Sequence, residues 1–139
     1  MTGRAARGLF DISTVILLGS IADPARIPHE PFLSPVSLAE LSVGPLVTDD
    51  EDERAARQAH LQQAEADFDP LPFDAAAARA LGGVAASLRR AGRKTTARSY
   101  DAMTAATASA LPLYTGNPSD FAGIDGLTVV DVPRRSPVA

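Results

Sequence analysis

Four stretches of the sequence carry acidic or amide side chains that could share one site. Asp11 lies in the apolar run "GLFDISTVILL" and Glu40 in "SLAEL", while Asp101 lies in "SYDAMTAATASA" and Asn117 and Asp120 lie in "GNPSDF". Carboxylates that converge on one cleft repel one another unless a hard cation lies among them, and Mg²⁺ or Mn²⁺ takes oxygen ligands. Such a site can activate water and stabilise charge on a phosphodiester during in-line attack.

Asp11 is the acid that is hardest to explain without a function. We expect a short strand over Leu9–Ser13, so its carboxylate would lie in a buried strand, where an unpaired charge is costly. An acid at a helix start is more often a cap than a catalytic group, because it accepts hydrogen bonds from free N–H groups. Glu40 and Asp101 are both expected in the first turn of a helix, so Asp11 stands apart from them.

The elements that must position these acids alternate along the chain. We expect strands at 9–13, 32–37, 111–115 and 127–132, a brief extended segment at 69–74, and helices starting near 14 and spanning 38–47, 48–68, 75–92 and 99–110. Short apolar strands that alternate with helices indicate an α/β fold with a mainly parallel central sheet flanked by helices. Ligands of such sheets bind outside the carboxyl ends of the strands, and all four acidic stretches can face that edge.

Composition indicates one globular domain. The chain has 139 residues, of which 45% are hydrophobic and 22% charged, and we expect one domain over residues 1–133 followed by a disordered tail at 134–139. It contains no cysteine, which excludes a disulfide framework and a thiolate metal site. The apolar runs are too short to span a membrane, so we expect a cytoplasmic protein without membrane partners.

One basic cluster stands out against a net charge of −4. The stretch "RRAGRKTTAR" contains five cations and no acid: Arg89, Arg90, Arg93, Lys94 and Arg98. Taken alone, it is typical of a solvated helix C-terminus, where cations complement the helix dipole. Beside an acidic metal site, the same cluster becomes a candidate contact for the phosphate backbone of RNA.

Other chemistries fit the sequence less well. The two histidines, His29 and His60, are expected in a loop and on an exposed helix, without a partner at metal-ligand spacing. No glycine-rich loop with a lysine follows a strand, which excludes a P-loop. A phosphoaspartate enzyme also uses an Asp after its first strand, but Asp11 lacks a second acid two positions on. The only lysine, Lys94, lies before a helix rather than after a late strand.

The acidic blocks together resemble a known family. "FDISTVI", "SLAEL", "RSYDAMTAATA" and "YTGNPSDF" resemble, in order and spacing, the blocks of PIN-domain ribonucleases, and most of all the VapC toxins of bacterial toxin–antitoxin pairs. The resemblance runs from Leu9 to Val132. It implies a PIN-like three-layer α/β fold and an Mg²⁺- or Mn²⁺-dependent endoribonuclease acting on structured cellular RNA such as tRNA or rRNA. It further implies inhibition by a small VapB-like antitoxin and a homodimer.

The resemblance also implies individual roles. Asp11 and Asp101 would be metal ligands, and Glu40 would complete the acidic cluster directly or through water. Asn117 stands where many members have a fourth acid, and Asp120 is the acid retained nearby. The remaining implied positions are hydroxyls that orient the carboxylates, Ser13 and Thr115. Because Asn117 departs from the acidic pattern, a PIN-like regulatory module with weakened catalysis, binding RNA or protein, remains an alternative.

Overall fold

Five strands and five α-helices make up the part of the chain that the structure describes. The structure is a computed structural model, and it describes residues 6–16, 27–94, 99–108 and 111–132. The strands are β1 (Arg7–Phe10), β2 (Glu30–Leu33), β3 (Asp69–Pro70), β4 (Leu113–Thr115) and β5 (Val129–Asp131). The helices are α1 (Ile12–Ile16), α2 (Pro35–Val43), α3 (Glu51–Asp67), α4 (Ala75–Arg90) and α5 (Ser99–Ala108).

The strands form one sheet in the order β3-β2-β1-β4-β5, and every pairing is parallel. Strand β1 is central, with Leu9 opposite Phe32 of β2 and Leu113 of β4. The chain builds β2 and β3 on one side of β1 and places β4 and β5 on the other. The carboxyl ends of β1 and β4 therefore meet where the strand order reverses, which is where parallel sheets bind ligands.

Helices cover both faces of the sheet, as the expected three-layer fold requires. Successive strand residues point to opposite faces, and Leu9 and Phe10 of β1 accordingly enter two separate cores. Leu9 packs with Val84 of α4 and with the alanines of α5. Phe10 packs with Val15 of α1, and its cluster extends to residues of α2 and α3. The central strand is thus packed on both faces, and Asp11 follows it directly.

Two boundaries around the acids differ from the expected ones. Strand β1 ends at Phe10, so the expectation of a strand through Ser13 is wrong. Helix α2 begins at Pro35, although the sequence pattern predicted a strand as far as residue 37. Ser34 caps this helix by accepting a hydrogen bond from the N–H of Val36, and proline suits the first helical position because its missing N–H would have no partner there.

The longer helices agree with the sequence pattern. Helix α3 begins after Asp50, whose carboxylate accepts a hydrogen bond from the N–H of Glu53, and α4 is followed by Gly92 with a φ of 74°. The helix carrying Glu40 ends before Pro45, as expected, and continues as a 3-10 turn over Gly44–Leu46. The tail at 134–139 lies outside the described residues. No helix in the described ranges is both long and apolar enough to cross a bilayer.

Candidate active site

Asp11 lies directly after the central strand and is held by four hydrogen bonds. Its Oδ1 accepts from the Ser13 hydroxyl at 2.7 Å and from the N–H and hydroxyl of Thr14 at 3.0 and 3.1 Å. Its Oδ2 accepts from the hydroxyl of Thr115 at 2.6 Å. The residue is only 6% exposed, and this all-donor surrounding compensates the charge of a buried carboxylate.

Asp11 is therefore a helix cap as well as a candidate metal ligand. The bond from the N–H of Thr14, three residues on, places Asp11 at the cap of α1, and the N–H of Val15 donates to its backbone carbonyl. The sequence pattern places Asp11 in a strand and therefore predicts no capping role for it, but in the structure the residue both caps a helix and belongs to the acidic centre. The cap fixes Oδ1 of the carboxylate against α1, and the hydroxyl of Thr115 fixes Oδ2 against the end of β4.

The hydroxyl groups around Asp11 also join the ends of β1 and β4. Ser13 Oγ accepts from the N–H of Gly116 at 3.2 Å, and Thr115 Oγ1 accepts from the N–H of Asn117 at 3.0 Å. The Thr14 hydroxyl also donates to the carbonyl oxygen of Tyr114 at 2.9 Å, so its one proton is shared between this oxygen and Oδ1 of Asp11. Ser13 and Thr115 are the hydroxyl partners that the family resemblance implies for Asp11, whereas the sequence pattern offers Thr14 only as a possible helix cap. A hydroxyl residue at the third position after a capping Asp is the signal that could have found it.

Glu40 and Asp101 approach the same centre from two helices. Burial, and then the charges of Asp101 and Asp11, raise the pKa of Glu40 from 4.5 to about 7. The side chain is thus within electrostatic reach of both other acids. Asp101 lies in the first turn of α5, as expected, but Glu40 is the sixth residue of α2 and not in its first turn. Because α2 starts earlier than expected, Glu40 lies beyond the first turn, where the helix dipole would stabilise a carboxylate.

The donor set of this centre suits a hard divalent cation. Asp11, Glu40 and Asp101 supply only carboxylate oxygens, which are the ligands that Mg²⁺ and Mn²⁺ prefer. Within the described ranges, no three acidic or histidine side chains are already close enough together to grip an ion. The charges of Asp101 and Asp11 both disfavour the ionised form of Glu40, and a bound cation would relieve this repulsion. His29 lies exposed before the start of β2, and His60 lies within α3.

The raised pKa of Glu40 predicts how pH changes stability without metal. The folded chain holds this proton more tightly than the unfolded chain, so the carboxyl favours folding below pH 4.5, and that contribution is lost as the pH rises through about 7. In EDTA, we expect the melting temperature of the wild type to fall more steeply between pH 5 and 8 than that of Glu40→Gln. Thermal unfolding of both proteins measures the difference, and parallel slopes would contradict it.

Asn117 and Asp120 lie in the turn that follows β4, as the sequence predicted. The turn is a 3-10 helix over Pro118–Phe121, and the N–H of Asp120 donates to the carbonyl oxygen of Asn117 at 3.0 Å. The side chain of Asn117 is exposed, and that of Asp120 is half-buried. The backbone N–H of Asn117 bonds Thr115, which in turn bonds Asp11. The turn is therefore tied to the acidic centre through its backbone.

Two arginines of the basic cluster form hydrogen bonds or ion pairs within the protein, and other members of the cluster are exposed to solvent. Arg90 forms an ion pair with Asp125 at 2.8 Å. Arg93 donates to the carbonyl oxygens of Ser119 and Ala122 at 3.1 and 2.5 Å, which braces the turn carrying Asp120. Arg89 and Lys94 are exposed, and Arg98 lies outside the described residues. The two bonded arginines have a structural role that the sequence pattern did not indicate.

Fold and site together define a PIN-like α/β protein. A five-stranded parallel sheet carries an anchored Asp at the end of its central strand, and two helices bring further acids towards it. No protein-family model matches the chain. Ribonuclease VapC5 of Mycobacterium tuberculosis (strain ATCC 25618 / H37Rv) is 35% identical over 136 residues, which cover 96% of this chain and 99% of that protein. The chain therefore belongs to the VapC family, the ribonuclease toxins of VapBC toxin–antitoxin systems.

Solved structures agree with this assignment. The crystal structure of VapBC-5, a member of the VapBC family of toxin–antitoxin systems from Mycobacterium tuberculosis, matches with a TM-score of 0.80 at 37% identity, over 91% of this chain and 99% of that chain. VapBC2 from Rickettsia felis, bound to a DNA fragment from its promoter, matches with a TM-score of 0.69 at 17% identity, over 90% and 98% of the two chains. The second likeness shows the fold alone.

Proposed function

We propose that this chain is an Mg²⁺- or Mn²⁺-dependent endoribonuclease and the toxin of a VapBC-type pair, active on structured cellular RNA such as tRNA or rRNA. The observation that carries the proposal is the convergence of Asp11, Glu40 and Asp101. The negative charges of Asp101 and Asp11 both raise the pKa of Glu40, so the three carboxyl groups interact. The relative named as a ribonuclease is similar over nearly the whole chain, which supports the same class of reaction.

The residues of the chain divide the work of this reaction. Asp11 and Asp101 would hold the cation and Glu40 would complete the cluster, while the bound cation supplies activation of water and neutralisation of charge on the phosphodiester. The hydroxyls of Ser13, Thr14 and Thr115 keep Asp11 fixed. Because this carboxylate is already oriented before substrate arrives, little reorganisation is needed during the reaction.

RNA binding falls to the surface around the acidic centre. Exposed Lys and Arg side chains would contact phosphates along the RNA strand, and the acidic residues would hold the metal ion that neutralises charge at the scissile phosphate. We assign the backbone contacts to the exposed Arg89 and Lys94, with Arg98 of the same cluster, and we assign Arg90 and Arg93 to bracing. The chain has five Phe, two Tyr and no Trp, so recognition of RNA shape is favoured over stacking of single-stranded bases.

The partners follow from the same assignment. The similar structures include VapBC complexes, and two of these are bound to DNA. By that likeness, a small VapB-like antitoxin would keep this chain inactive in the cytoplasm, and the chain would form a homodimer. Co-purification with the product of a short neighbouring reading frame tests the antitoxin directly.

Metal-dependent cleavage of RNA is the experiment that tests the proposed activity. We expect the purified chain to cut total tRNA or rRNA in Mg²⁺ or Mn²⁺, and EDTA to stop cleavage completely. Re-addition of the metal should restore it, which separates metal removal from unfolding. Cleavage that persists in EDTA would contradict the metal requirement. Binding of RNA without cleavage under any metal condition would contradict the enzyme and favour the regulatory module with weakened catalysis.

A further inference from the structure

Helices α2 and α5 pack against each other, and polar side chains lie at both ends of their contact. At one end, Ser34 Oγ and Thr107 Oγ1 lie 3.3 Å apart. At the other end, Glu40 and Asp101 interact electrostatically. Side chains three residues apart lie on one face of a helix, and both helices repeat polar residues at this spacing. The polar row consists of the cap residue Ser34 with Ser37 and Glu40 of α2, and of Thr107, Thr104 and Asp101 of α5.

The contacts at the two ends of the polar row indicate which residues face each other in its middle. Because Ser34 meets Thr107 and Glu40 meets Asp101, the helices run in opposite directions and Ser37 comes level with Thr104. Both residues are buried, with exposed fractions of 0% and 3%. A polar level therefore lies between the Ser34–Thr107 contact and the acidic centre, in a place where helix packing usually puts alanine or leucine.

The hydroxyl of Ser37 is the unusual group in this row. Among the described residues, its Oγ is buried and has no hydrogen-bond partner. A buried hydroxyl without a partner destabilises a fold, and alanine at the same place would be a better helix former without that cost. Unpaired buried groups of this kind indicate strain, a functional role or a bound water or ion. The fold of the metal-free chain gives no reason for this hydroxyl.

We propose that Ser37 is a positioning residue for Glu40: in the cation-bound protein its hydroxyl donates to the Glu40 carboxylate, directly or through one buried water, and holds it beside Asp101. The two residues are three apart on α2 and so are neighbours on its surface. Hydroxyl groups already hold Asp11 in this way from α1 and β4. Ser37 would do the same for the acid on α2, and this inference rests on the proposed metal-dependent function.

Binding of Mn²⁺ to the purified chain, measured by calorimetry, tests the proposal without relying on activity. Loss of an orienting partner typically weakens metal binding by 10–100-fold, so we expect Ser37→Ala to bind Mn²⁺ about 10-fold more weakly than the wild type. In EDTA its melting temperature should equal or exceed that of the wild type, because no hydrogen bond is lost. Unchanged Mn²⁺ affinity would overturn the proposal.

Ser34→Ala is the matched control from the same row. Its hydroxyl caps α2 and lies against Thr107, so this variant should melt at a lower temperature than the wild type and keep Mn²⁺ affinity within about twofold. Ser37→Ala is therefore expected to lower Mn²⁺ affinity but not the melting temperature, and Ser34→Ala is expected to lower the melting temperature but not Mn²⁺ affinity. If Ser34→Ala weakened Mn²⁺ binding as much as Ser37→Ala, general loosening of α2 would explain both and the proposal would fail.

A double-mutant cycle shows whether Ser37 acts through Glu40. In a Glu40→Gln background, Ser37→Ala should change Mn²⁺ affinity by less than about twofold, because the carboxylate that it positions is gone. A further tenfold loss in that background would overturn the proposal. RNA cleavage by the wild type is measured as well, to separate the proposed activity from the proposed role of Ser37. Absence of cleavage with intact Mn²⁺ binding refutes only the proposed activity, whereas absence of Mn²⁺ binding by the wild type refutes both.

Discussion

Replacing Asp11 with Asn should abolish metal-dependent RNA cleavage and leave the chain folded. Asp11 follows the central strand directly, and all four hydrogen bonds to its carboxylate come from donors, so its negative charge is what the surrounding groups are arranged to hold. Without that charge, the cation loses a principal ligand. We expect a loss of at least about 100-fold in cleavage rate, the upper end of what loss of a supporting partner alone costs.

The fold should survive this change because the cap survives it. Asparagine caps helices about as well as aspartate, and its amide oxygen can still accept from the N–H of Thr14. The amide nitrogen would face the hydroxyl of Thr115, which can turn to accept. We expect the free energy of unfolding to fall by only about 1 kcal/mol. Thermal unfolding and a cleavage time course, measured on the same preparation, report the two effects.

Asp50→Asn is the matched control for this substitution. Asp50 caps α3 through a 2.9 Å bond from the N–H of Glu53, so the same chemical change is made at another helix cap away from the acidic centre. We expect cleavage at the wild-type rate. If Asp11→Asn cleaved RNA as fast as Asp50→Asn, the assignment of Asp11 as a metal ligand would be wrong.

A Gly8→Ala substitution should markedly lower the stability of the fold, although it adds only one methyl group. A Cβ at position 8 would lie 2.4 Å from Cε1 and 2.8 Å from Cδ1 of Tyr114, and 3.1 Å from Cγ of Pro28. The Tyr114 ring is only 4% exposed and packs edge-on against Phe10 with ring centres 6.0 Å apart, so it has little room to withdraw. The added methyl group must therefore either push the Tyr114 ring out of its packed position or shift β1 relative to β4.

We expect this overpacking to cost about 2 kcal/mol, which corresponds to a fall of roughly 5–10 °C in melting temperature. Tyr114 also accepts a backbone hydrogen bond from Asp11 at 3.2 Å and precedes Thr115, so its displacement should lower cleavage activity as well. Gly82→Ala is the control with the opposite sign. A Cβ there meets nothing within 4 Å in α4, and alanine in a helix interior is about 1 kcal/mol more favourable than glycine. A wild-type melting temperature for Gly8→Ala would refute the predicted clash.

The alternation of elements and the acidic blocks were readable from the sequence because they are local signals. Acids at the start of α3, Gly92 after α4 and the alanines of α5 each act through neighbours within a turn or two. The boundaries next to the site were less predictable. Ser34 with Pro35 is a strong helix start, but the apolar residues before it extended the strand pattern too far. In the same way, the apolar residues around Asp11 predicted a strand that continues past Phe10 and therefore includes Asp11.

The sequence by itself determined the class of fold, the order of its elements and the acids that could do chemistry, because periodicity, capping and motif spacing are properties of short segments. Only the tertiary structure decided what those acids meet. Thr115 reaches Asp11 across 104 positions of sequence, Glu40 meets Asp101 through the packing of α2 on α5, and Arg93 is committed to the turn after β4. Such contacts depend on how strands and helices pack across the sheet, and no local pattern specifies that. The unpaired hydroxyl of Ser37 belongs to the same group, since only packing shows that a serine is buried without a partner.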